Sequence, residues 1–256
     1  MHTELRIPLS TVYSFLFVLA RVSGMLVFTP LPGSPASPDA SRVVLALALT
    51  ILLMPVAPTA ASPISFGALA LWAAAEAVTG LLIGLTVSIL LESLQMAAHM
   101  IELPAGFSYA SIVNPESQAD STLLQVLTQL LGGLLFCILG FDRKVVQILA
   151  RSFEILPLGA IPARAPLTET FIRASAGIFV TGLRLAMPVI ALLLLIDFAF
   201  AVLGRLQAQI QLMPLSFSIK LLAGMLMLAG SLTFYPSILE KSGNRMFTGL
   251  GELLAP

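Results

Sequence analysis

Charge is what this sequence has least of. Lys and Arg number 13, Asp and Glu 13, and together they make up 10% of 256 residues, against the roughly 25% of a soluble globular domain. Hydrophobic residues account for 58% and mean hydropathy is +1.00. That composition excludes an ordinary soluble domain and belongs in a bilayer or inside a larger complex. Net charge is zero and neither sign forms a tract, so nothing points to nucleic acid or an anionic surface as partner. The single cysteine, Cys137, has no partner for an intrachain disulfide, and its apolar setting reads as a small core residue. There are two histidines, His2 and His99. They have no metal-binding spacing, so neither a metal nor a cofactor is expected. Met96 and Glu102 lie three residues either side of His99 and share its helix face, which suits a polar helix-end residue. Also missing are a Gly-x-Ser-x-Gly elbow, paired histidines on a helix turn and a phosphate-binding glycine loop, so no enzyme is expected.

What is present is aliphatic. Six apolar segments stand out: Val12 to Thr29, Val43 to Met54, Leu69 to Met96, Ser121 to Phe141, Phe179 to Leu203 and Ile219 to Tyr235. Each is expected to be helical, because backbone polar groups away from water must be satisfied within their own segment. The amino-terminal stretch lacks a cleavage pattern and reads as a retained first helix. "PLPGSPASPD" (30–39) and "PVAPTAASP" (55–63) carry too much proline to continue a helix. Crossing about 30 Å of hydrocarbon takes roughly 20 helical residues. Val43 to Met54 is therefore too short to span alone.

Five charges interrupt these segments or lie close to their ends: Arg21, Glu76, Glu92, Arg184 and Asp197. A charge near mid-bilayer costs about 2.5–3.5 kcal/mol even on lenient scales. Six helices offer little interior, so neighbouring subunits are expected to supply the surroundings these groups need. Glu76, Glu92 and Asp197 also admit a second reading, as ion or proton sites of a secondary transporter of small solutes. "GLLIG" (80–84) sets two glycines four apart, the spacing that lets another backbone approach closely, and is read as packing within this chain.

Two polar stretches divide the apolar ones. "AGFSYASIVNPESQADS" (105–121) is small, polar and acidic, with Gly106 freeing the backbone and "NPES" forming a turn before a helix start at Ser121. "GRLQAQIQLMPLSFSIK" (204–220) reads as a helical hairpin turning at Met213–Pro214. Gln207, Gln209 and Gln211 lie at its tip, with Arg205 and Lys220 at its bases. Uncharged hydrogen-bonding groups of this kind suit a hydrated lumen or a polar partner.

Taken in order, "ARVSGMLVFTPLPGS" (20–34), "VVLALALTILLMP" (43–55), "EAVTGLLIGLTVSILLESLQMAAHMIELPAGFSYASIVNPES" (76–117), "SFEILPLG" (152–159) and "GRLQAQIQLMPLSFSIKLLAG" (204–224) resemble the FliR family of flagellar export proteins. Relatives in the injectisome are called SctT. The resemblance implies an all-α, membrane-associated set of helical hairpins and a non-enzymatic subunit of a type III export gate in the bacterial inner membrane. With FliP- and FliQ-like subunits it would form a helically arranged conduit for unfolded secreted proteins, raised toward the periplasmic side. Residues 1–180 would be a FliP-like part and 181–256 a FliQ-like hairpin, whose tip faces an FlhB-type protein. The resemblance also implies that the loop with Gly106, Phe107, Ser108, Tyr109, Ala110, Ser111, Asn114 and Pro115 plugs the closed channel, with Gly106 as hinge and Phe107 and Tyr109 as stoppers. Three positions depart from the family pattern. Asn114 stands where many relatives have aspartate, Ala208 where Pro precedes Gln, and Ser218 where a proline is common two before the last lysine.

Overall fold

The computed structural model describes residues 8–29, 39–59, 65–107, 123–159, 167–206 and 212–254. Among these there are eight helices and no strand, in the order α1 (Leu9–Phe28), α2 (Asp39–Leu53), α3 (Phe66–Ala105), α4 (Leu123–Ile138), α5 (Phe141–Ile155), α6 (Leu167–Leu206), α7 (Leu212–Ser231) and α8 (Tyr235–Leu254). The all-α expectation is borne out. Each of the six apolar segments carries a helix among the described residues, the expected start at Ser121 lying outside them, and two helices come in addition. The extra pair, α5 and α8, are amphipathic rather than apolar: α5 buries Phe141, Val145, Leu149, Ser152 and Phe153 and leaves Arg143, Gln147, Arg151 and Glu154 exposed. Apolar runs do not reveal such helices; a period near 3.6 does.

Three stretches are long and apolar enough to cross a membrane: Leu9–Phe28, Phe66–Ala105 and Ser175–Leu206. Two further candidates arise if the pairs Leu124–Ile138 with Phe141–Ile155 and Leu215–Ser231 with Tyr235–Gly251 each count as one bent span. Helix α3, with 40 residues, is about 60 Å long at roughly 1.5 Å per residue, twice a bilayer core. Helix α2 has 15 residues and falls short of a crossing, as its sequence indicates.

Breakers act as chemistry requires. Helix α1 stops at Phe28, just before the first proline-rich stretch, and α2 stops at Leu53, just before Pro55. Met213 and Pro214, read above as a turn, instead lie in the first turn of α7. Proline is tolerated there because a first-turn N–H has no intrahelical partner to lose. Pro188 sits within α6, which continues through it.

The chain divides into two compact units. Residues 1–89, 136–172 and 243–256 form the first. Its core is α1 against the amino-terminal half of α3, with α2 on α1 and with the face of α5 named above. Helix α1 buries Ser14, Phe17, Val18, Arg21, Val22 and Met25, a stripe at helical spacing. Phe141 stacks edge-on with Phe247 of α8 at 5.7 Å, and Lys144 donates to the side-chain oxygen of Asn244 at 2.8 Å. The second unit comprises 90–135 and 173–242, with Leu94, Ile101, Ala105, Leu124, Leu185, Val189 and Leu193 buried in it. Cys137, expected in a core, is exposed on α4: an apolar neighbourhood in sequence does not say which helix face a residue takes.

Candidate functional site

Glu76, Gly80 and Gly84 recur every four residues and so share one face of α3. On α1, Arg21, Gly24 and Met25 form the matching face. A Cβ on Gly80 would meet the carbonyl oxygen of Arg21, one on Gly84 that of Met25, and one on Gly24 that of Ala77, all inside van der Waals contact. The "GLLIG" expectation of close packing within the chain therefore holds. The two backbones touch where only glycine fits.

That crossing places Arg21 beside Glu76 with both side chains fully buried. The Arg21 Nε donates to Glu76 Oε2 at 2.5 Å, one terminal nitrogen to Ser152 Oγ at 2.9 Å and the other to the Leu156 carbonyl at 3.0 Å. Phe153 covers the guanidinium face, 4.3 Å from its ring centroid. Glu76 uses its other oxygen to accept from the Gly159 N–H at 2.8 Å. Gly159 has φ +82, and a Cβ there would stand 2.6 Å from Trp72. Arg21 and Glu76 thus find their partners in this chain: α5 and the turn after it close over the α1–α3 crossing, supplying the interior that was expected from neighbours. Only Arg, with donors on three nitrogens in a rigid fork, can satisfy three acceptors from one buried position.

Glu92 and Arg184 are exposed, on α3 and α6, and no partner is found for either among the described residues. Asp197 is 44% exposed and pairs with Lys220, tying α6 to α7 within the second unit. Arg205 is exposed in the last turn of α6. Gln207, Gln209 and Gln211 lie outside the described residues.

Of the loop residues, Gly106 and Phe107 are described; Ser108, Tyr109, Ala110, Ser111, Asn114 and Pro115 lie outside. Gly106 has φ +85 and its N–H donates to the Leu103 carbonyl at 3.2 Å, while the Phe107 N–H donates to that of Glu102 at 3.0 Å. This is a Schellman cap: Gly106 ends α3 in the left-handed conformation and satisfies two otherwise orphaned carbonyls. The Phe217 ring of α7 covers it, 2.6 Å from where a Cβ would be. The beginning of the polar loop and the base of the polar hairpin, more than a hundred residues apart, therefore meet at one glycine. Nearby, a Cβ on Gly224 of α7 would make ordinary contact with Ala105 of α3 at 3.4 Å and Leu193 of α6 at 3.8 Å.

Gly24, Ser152, Phe153, Leu156, Gly159 and Phe217 lie in stretches that carry the family resemblance, with no role of their own expected from the sequence. A seryl hydroxyl on the apolar face of α5 was the one signal available for Ser152. Among the described residues no group of three or more His, Cys, Asp or Glu is placed to hold a metal.

A buried, fully bonded ion pair at a glycine-lined helix crossing, on a chain with three or more candidate spans, defines an all-α membrane-embedded protein. The chain belongs to the bacterial export proteins, family 1, whose family model matches residues 12–246. It is similar to the flagellar biosynthetic protein FliR of Escherichia coli (strain K12), 26% identical over 248 residues that cover 96% of this chain and 95% of that one. Similarity extends to the flagellar biosynthetic proteins FliR of Pectobacterium carotovorum subsp. carotovorum (26% over 244 residues, 95% and 93% of the two chains) and of Bacillus subtilis (strain 168) (24% over 218 residues, 84% of each). The resemblance to the FliR family read from the sequence is borne out.

Proposed function

We propose that this chain is a structural, non-enzymatic subunit of the flagellar type III protein export gate in the bacterial inner membrane, set toward its periplasmic side. In this reading it joins FliP- and FliQ-like subunits to form a conduit for unfolded export substrates, with an FlhB-type protein beside its polar hairpin. The observation that carries it is near-full-length similarity to proteins named for flagellar biosynthesis.

Assembly with other membrane helices is supported by Glu92 and Arg184, exposed charges on candidate spans that cost about 2.5–3.5 kcal/mol each if left in lipid. Helix α6 adds a broad apolar surface with Leu195 67%, Phe198 71% and Leu206 75% exposed. Residues 181–256 are read as the FliQ-like hairpin, within which Asp197 and Lys220 join α6 to α7. Gly106 to Pro115 forms the plug. Its root is fixed by the Schellman cap and the Phe217 cover, so Gly106 anchors the start of the loop to α3.

Shortening the 106–114 stretch in cells that assemble the complex is expected to let small ions leak across the membrane, read as loss of a fluorescent membrane-potential signal. Unchanged permeability in correctly assembled complexes would remove the plug.

A further inference from the structure

Helix α6 has two unlike faces. Leu185, Val189 and Leu193 turn into the second unit and are 0% exposed. On the other side Val180, Arg184, Met187, Ala191, Leu194 and Phe198 are all exposed. They follow one another at intervals of four, three, four, three and four residues. That alternation averages about 3.5, the repeat that keeps one stripe against a partner helix along a shallow left-handed crossing. Lipid makes no such demand on spacing.

The stripe is polar at one point. The Arg184 guanidinium is exposed within it, and Pro188 has no N–H to give the Arg184 carbonyl, so the break in helix bonding falls at the same residue. On the core side, Tyr235 donates to the adjoining Leu185 carbonyl at 3.4 Å. Asp197 is the one acid between Ser175 and Leu206, and it is bound to Lys220. Two copies of this chain set stripe to stripe would therefore leave Arg184 facing aliphatic side chains or another Arg184.

We propose that this stripe receives an apolar helix of a different chain, packed along a left-handed crossing and carrying an Asp or Glu opposite Arg184. The proposal rests on the reading of the chain as one subunit among several, and specifies what its neighbour must present. A carboxylate suits the guanidinium because its two oxygens match the planar fork in paired hydrogen bonds. Against aliphatic groups in a dry interface, the guanidinium would keep its desolvation cost with nothing to offset it. Ala191 lies near the middle of the stripe, with Met187 and Leu194 about a turn to either side, and its small side chain lets the partner's backbone come close.

Photocrosslinking in native membranes tests this, with a benzophenone side chain in place of Leu194 in the full, affinity-tagged chain. The expected product is an adduct with one other protein. Its crosslinked peptide should be an apolar helix with an acid about ten residues from the crosslink, the separation of Leu194 from Arg184. Arg184→Glu should lower the adduct at least about tenfold, because it sets like charges together. Reversing the partner's acid to Arg should restore it, and Arg184→Lys, which keeps the charge without the fork, should retain part of it. Arg184 is exposed, so unchanged yield of the variants is expected. A crosslink to a second copy of this chain, an adduct with lipid alone, a partner peptide with no acid at that separation, or an undiminished adduct in Arg184→Glu would overturn the proposal. If other membrane subunits still copurify with the tagged chain in those cases, the subunit reading stands and the assignment of the stripe alone fails.

Discussion

Replacing Arg21 with alanine is expected to abolish accumulation of folded protein. The substitution leaves the Glu76 carboxylate, the Ser152 hydroxyl and the Leu156 carbonyl facing an interior with no donor, at a site where both charged side chains are 0% exposed. Breaking a buried pair by removing one partner costs about 3–5 kcal/mol, much of it the uncompensated charge left behind. That is a large part of the roughly 5–15 kcal/mol that holds a domain together. Glu76→Gln should be milder, since the amide oxygen still accepts one hydrogen bond, and it should reduce assembly before it alters any ion coupling. Arg21→Lys should fall between the two, because one ammonium cannot span three acceptors on two elements. Yield and denaturant unfolding of the purified protein in detergent measure the series. Full stability of Arg21→Ala would show that the ion pair carries no structural weight.

Gly80→Leu is expected to be equally damaging for a steric reason. The first carbon of any side chain there already meets the Arg21 carbonyl oxygen, so the α1–α3 crossing must open before the rest of leucine is placed. Opening it also moves Arg21 away from Glu76, Ser152 and Leu156, coupling the packing loss to the polar one. Overpacking typically costs about 1–3 kcal/mol in side-chain cores; contact with backbone, which cannot rotate aside, should exceed that. Gly133→Ala is the contrast. A Cβ at Gly133, on α4, meets nothing within 4 Å, and alanine should stabilise that helix by about 0.5–1 kcal/mol. Thermal unfolding of the two variants checks both signs. Equal tolerance at positions 80 and 133 would contradict the crossing geometry.

Much of this architecture was legible because its causes are local. Proline in 30–39 and 55–63 stops helices wherever it falls, the length of α2 follows from Pro55, and Gly80 and Gly84 announce a close approach through their spacing alone. What could not be read is what depends on distant partners. Arg21 and Glu76 are 55 residues apart, and Arg21 and Ser152 are 131 apart; nothing in either neighbourhood names the other. Isolated charges in apolar runs looked like demands on other subunits. For Arg21 and Glu76 the demand is met internally, whereas Glu92 and Arg184 are exposed. Helices α5 and α8 escaped a search for apolar runs because half of each faces away from the core. Gly106 was legible as a special backbone position but not as the end of a helix, since the hydrogen bonds that define the cap join residues whose side chains say nothing of it.

The reading stands on the claim that this chain completes itself only among other membrane subunits. Native mass spectrometry of the affinity-tagged chain, extracted from its own cells in mild detergent, tests that most directly. The expected result is a complex containing two other small hydrophobic proteins, with the Glu92→Ala and Arg184→Ala variants losing them while the Arg21–Glu76 core stays folded. Recovery of a stable monomer or small homo-oligomer that moves a small solute across vesicles by itself would contradict it.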